Sequence, residues 1–67
     1  LKMFIKEYSV REVQDILSRN GFTYLRTHGS HRIYSNGNCS VSIPSQKKTV
    51  NKMLFLRIVK ENNLILN

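Results

Sequence analysis

The sequence predicts an α+β fold in the order α-β-β-β-α, a three-stranded antiparallel sheet packed on two helices, as one domain over residues 1–67. Three observations predict it: a full set of helix-start signals at Ser9, three strand-length runs separated by tight-turn dipeptides, and a second helical run ending near Asn62. Sixty-seven residues exclude a two-domain enzyme with a separate cofactor-binding half. A chain of this size buries only about 60% of the surface its unfolded form exposes, so its core is thin.

The first helix starts at Ser9, whose hydroxyl can accept from the backbone N–H of Glu12 while the Glu12 carboxylate reaches back to the N–H of Ser9. Tyr8 is placed to staple onto Val13. Val10, Val13, Ile16 and Leu17 fall on one stripe, and Arg11, Gln14, Asp15, Ser18 and Arg19 face away from it. Asn20-Gly21 ends the helix, because Gly21 is free to take a left-handed conformation.

The strand signals cover residues 22–27, 30–35 and 38–43, with His28-Gly29 and Asn36-Gly37 as turns and Pro44 as the end of the ladder. Read as two-residue loops, these turns pair Tyr34 with Cys39 and Arg26 with His31. Tyr34 and Arg32 then share a face with Cys39, Val41 and Ile43, while His31 and Ile33 share the other with Ser40 and Ser42. In that register Arg26, His31 and Ser42 are neighbours across three strands. Tyr24 and Tyr34 read as core aromatics, with base stacking as the functional alternative for Tyr24, and Cys39 reads as a small buried apolar residue.

After the polar connector 45–48, Thr49 is the expected N-cap of the second helix. The apolar residues Val50, Met53, Leu54, Phe55, Leu56, Ile58 and Val59 run nearly all the way round that helix, more than one sheet face can bury. The tail Leu64-Ile65-Leu66 is apolar too, and either a short strand or a part of the same contact surface is expected there.

Charge narrows the function. Eleven Lys+Arg against four Asp+Glu give a formal +7, and between residues 16 and 60 there is no acid at all. Such an excess attracts a polyanion, nucleic acid first and an anionic membrane surface second, with a merely solvated surface as the plain alternative. Cys39 is the single cysteine, which suits a reducing, cytoplasmic setting. Residues 1–8 are interrupted by Lys2, Lys6 and Glu7, so neither a signal peptide nor a membrane span is expected there.

A P-loop pattern and clustered metal ligands are both missing, and His28 and His31 straddle a turn with no third ligand, so no metal or cofactor is expected. What remains is a histidine among cations. An imidazole can take a proton from a ribose 2′-OH or give one to a departing 5′-oxygen, and adjacent Arg or Lys can balance the charge that grows on the phosphate. On the residues alone, His31 as catalyst and His31 as polar surface residue both stand. Lys47 and Lys48, ahead of the second helix, can grip phosphate with its free N–H groups or belong to a solvated loop.

The elements Ser9-x-x-Glu12-Val13, Leu17-x-x-x-Gly21-Phe22, Gly29-Ser30-His31 with Tyr34 three residues on, and Val41-Ser42-Ile43-Pro44 together resemble the HicA family of toxin mRNA interferases. The resemblance runs from about Tyr8 to Leu64. It implies a fold like the double-stranded-RNA-binding domain, cleavage of mRNA, and inhibition by a HicB-type antitoxin in a toxin–antitoxin hetero-oligomer. By that resemblance His31 is the catalytic residue and Gly29 the permissive turn that presents it. Gly29, Ser30, Arg26, Arg32, Lys47 and Lys48 are the expected substrate-binding residues. Where many members carry a Pro-x-His segment, this chain reads Pro44-Ser45-Gln46. Met53 and Asn62-Asn63 stand where the family often has a glycine and an Ala-Gly pair. Two rivals come from other classes: a non-catalytic RNA- or DNA-binding module of the same fold, and an assembly adaptor working through the apolar second helix.

Overall fold

The computed structural model describes residues 7–66, and the expectation for the N-terminal segment lies mostly outside them. Its order is α1 (Val10–Arg19), β1 (Thr23–His28), β2 (His31–Ser35), β3 (Ser40–Pro44) and α2 (Lys52–Asn62), with the strands antiparallel in the order β1-β2-β3. This is the α+β arrangement expected, and it is compatible with a double-stranded-RNA-binding-domain-like fold.

Helix α1 is held at both ends by the groups its sequence supplies. Ser9 Oγ accepts from the Glu12 N–H at 3.0 Å and Glu12 Oε1 accepts from the Ser9 N–H at 2.9 Å, closing the capping box. At the other end the N–H groups of Gly21 and Phe22 reach the carbonyls of Ser18 and Leu17, with Gly21 at a φ of 88°. That pair of bonds is a Schellman stop, and Phe22 beyond it is buried. All four residues of the predicted stripe are buried, and they meet Tyr34, Val41, Ile43, Val50, Phe55, Ile58 and Leu64 in one core.

The cap of helix α2 lies two residues later than expected, at Asn51 rather than Thr49. Thr49 is instead bridged to Ser9, while the Val10 N–H donates to the Lys48 carbonyl and the Val50 N–H to that of Tyr8, which keeps the segment extended. Asn51 takes over as cap, its Oδ1 accepting from the N–H groups of Met53 and Leu54. Only Phe55 and Ile58 of the helix itself are fully buried, and Met53 stays 72% exposed, in line with an apolar surface larger than one sheet face can cover. The tail is tied back by Asn20, whose side-chain amide bonds both the carbonyl and the N–H of Ile65.

Strand register differs from the simple hairpin reading in both turns. Asn36 Oδ1 accepts from the N–H groups of Asn38 and Cys39, and the Asn36 N–H donates to the Cys39 carbonyl, so the second loop has four residues rather than two. Tyr34 therefore pairs with Val41 rather than Cys39, and Cys39 is exposed in the loop instead of buried. In the first hairpin the turn is Gly29-Ser30, so His28 pairs with His31 and Arg26 with Ile33. The expected Arg26, His31 and Ser42 trio is thus replaced by two rungs, Arg26-Ile33-Ser42 and His28-His31-Pro44. Both shifts amount to two positions, which preserves the faces. A bulge between Tyr24 and Arg26 turns Tyr24 to the Tyr34 side, where its ring lies edge-on to Tyr34 at 5.8 Å. Tyr24 is nonetheless 55% exposed, because it sits on the edge strand, and its hydroxyl bonds Thr27 Oγ1 at 2.6 Å.

Candidate active site

The face of the sheet carrying Tyr34, Val41 and Ile43 is covered by the core, and the opposite face carries Arg26, His28, His31, Ile33 and Ser42. His31 is the first residue of the central strand and is exposed. Its position is fixed by the turn before it. Gly29 has a φ of 62°, in the left-handed region, while no atom lies within 4 Å of where a Cβ would stand. The glycine is therefore required by backbone conformation and not by space. The Ser30 carbonyl then accepts from both the N–H and the hydroxyl of Ser45, at 2.8 and 3.0 Å, which ties the turn to the connector following β3.

That tie brings the connector beside the histidine. A cleft of about 330 Å³ is lined by Glu7, His31, Pro44, Lys47, Thr49, Asn51 and Leu54. It contains one imidazole, one ammonium and one carboxylate, drawn from three separate stretches of chain. An anionic group in it can meet the Lys47 charge with the His31 ring at hand for proton transfer.

The residues expected from sequence to bind substrate are not all gathered there. Lys47 lines the cleft; Lys48 is exposed outside it, with its carbonyl engaged by the Val10 N–H. Arg26 lies on the His31 face two rungs away, paired with Ile33. Arg32, half-buried, points to the other face and lines a separate hollow with Gln14, Tyr24, Thr27 and Tyr34. Gly29 and Ser30 act through the turn and through the Ser30 carbonyl. Glu7 is not recognisable from the sequence as a neighbour of His31, because all acids lie toward the ends of the chain. The Ser9 to Thr49 bridge, which no local spacing announces, carries that end to the connector.

Among the described residues no three His, Cys, Asp or Glu side chains cluster as metal ligands, and no helix is long and apolar enough to cross a membrane. No curated protein and no solved structure matches the chain. The family model described as the HicA toxin of bacterial toxin-antitoxin matches residues 10–64, from the first residue of α1 through the buried Leu64 of the tail. The match takes in both helices, all three strands and the glycine turn that presents His31, and the chain belongs to the HicA toxin family.

Proposed function

We propose that this toxin is a metal-independent endoribonuclease that cleaves mRNA in the cytoplasm, with His31 as general acid/base and a HicB-type antitoxin as its restraining partner. The observation that carries the reading is the exposed His31 ring sharing a cleft with Lys47, on a turn that Gly29 makes possible. The +7 charge supports a polyanionic substrate, since cations release counterions from a phosphate backbone on binding. Lys47 would hold the scissile phosphate and offset its growing charge, while Arg26, two rungs from His31 on the same face, would grip a neighbouring phosphate.

The experiment is RNA cleavage and growth inhibition by the wild type and by His31→Ala. Proton transfer by a placed side chain contributes about 10²–10⁴ in rate, so the variant should lose cleavage by that factor and lose toxicity while remaining folded. Salt-sensitive RNA binding that is equal in the two proteins, with cleavage products from neither, supports the rival reading of a non-catalytic binding module.

A further inference from the structure

Metal-free cleavage of RNA by attack of the ribose 2′-OH needs two proton transfers, one away from that hydroxyl and one to the departing 5′-oxygen. One imidazole placed on one side of the phosphorus serves only one of them well. The segment Pro44-Ser45-Gln46 supplies no second ring. The first hairpin does.

His28 and His31 are direct partners in the β1–β2 ladder, on the rung that closes onto the Gly29-Ser30 turn. Directly opposed residues of an antiparallel pair leave the sheet on the same face, with Cβ atoms about 4.5–5.5 Å apart. Both histidines are exposed on the face opposite Tyr34, Val41 and Ile43, with His31 at its edge, where the cleft reaches the first turn of α2. Two rings rooted at that spacing can splay to place a nitrogen on either side of one phosphodiester, as in-line displacement requires. The arrangement depends on register: under the simple hairpin reading Arg26 would have faced His31, and the second imidazole would have lain in the turn.

We propose that His28 is the second proton-transfer group of this toxin and forms an acid/base pair with His31; the assignment rests on the ribonuclease reading above. One ring, unprotonated, takes the proton of the 2′-OH as that oxygen bonds to phosphorus. The P–O5′ bond breaks with its electron pair going to the 5′-oxygen, and the other ring, protonated, delivers its proton there. The products are a 2′,3′-cyclic phosphate and a 5′-OH, and the rings exchange protons with water to restore the starting state.

The test is the pH dependence of kcat/KM on a short RNA in the presence of a chelator, for wild type, His28→Gln, His28→Ala, Glu7→Gln and His31→Ala. A working pair gives a bell-shaped wild-type profile. Each His28 variant should lose one limb of the bell and about 10²–10⁴ in kcat/KM at the optimum, with its thermal midpoint unchanged because the side chain is exposed. Retention of both limbs with a rate within about twofold of wild type overturns the assignment. So does loss of a limb in Glu7→Gln with none in His28→Gln, which would give the second transfer to the carboxylate in the cleft. Inactivity of His31→Ala with full activity of the His28 variants removes this inference and leaves the ribonuclease reading intact; a wild type that never cleaves removes both.

Discussion

The two faces of the sheet come from alternate residues of the same strands, and they are put to opposite uses. On one face Tyr34, Val41 and Ile43 are at most 7% exposed and meet both helices. On the other, Arg26, His28, His31 and Ser42 lie in the open and contribute nothing to the core. His31 and Arg32 are adjacent in sequence yet belong to different faces, one beside the cleft with Lys47 and the other beside Tyr34 and Gln14. The contrast teaches that folding and chemistry are separated here by the period of two. A substitution should therefore register in one assay or the other, according to the face its position takes, the bulge placing Tyr24 on the covered side although Arg26 is on the open one.

The largest effect is expected on the covered face. Ile43 is completely buried, and Ile43→Ala removes its transfer free energy and leaves a cavity, a cost of about 2–5 kcal/mol. In a domain this small, denaturant unfolding should show most of the stability gone. An unfolding midpoint close to wild type would mean that the helices do not depend on this face for their packing. Next in size is the cover itself: Ser9→Ala removes one arm of the capping box and should lower stability by about 1 kcal/mol, read in the same titration.

Smaller effects sharpen the division at the open face. On the proposed function, Arg26→Ala and Lys47→Ala should each flatten the salt dependence of RNA binding by about one phosphate contact and leave unfolding unchanged. Arg32→Ala should show the reverse, with an unaltered salt slope and a slightly lower melting temperature, since its stem lies against the Tyr34 side of the sheet. Equal slopes for Arg26→Ala and Arg32→Ala would break the comparison. Least of all should change in Met53→Lys, at a position 72% exposed, where stability is expected to stay within about 0.5 kcal/mol.

Apart from Tyr24, which the bulge moves across, the faces were legible in the sequence because alternation survives a register shift of two, and both hairpins shifted by two. The partners within each face were not legible, because they depend on loop length. Asn36 uses its own side chain to extend the second loop, and the first turn falls at Gly29-Ser30, one residue beyond the glycine dipeptide that signals it. Helix α1 could be read completely, since its capping box, stripe and glycine stop are all local. The start of α2 could not, because Thr49 and Asn51 are both acceptable caps and the choice between them is made by a bridge to Ser9 some forty residues away in the chain. For the same reason His31 and Lys47 were identifiable as candidates while Glu7 was not.

The central claim is that the open face of this toxin moves protons on RNA without a metal ion. Its most direct test is the chemistry of the cut ends after the purified chain is incubated with RNA in excess chelator. Cleavage is expected to leave a 2′,3′-cyclic phosphate and a 5′-OH, present in the wild type and lost in His31→Ala. Cleavage that requires a divalent ion, or that leaves 5′-phosphate ends, would contradict it.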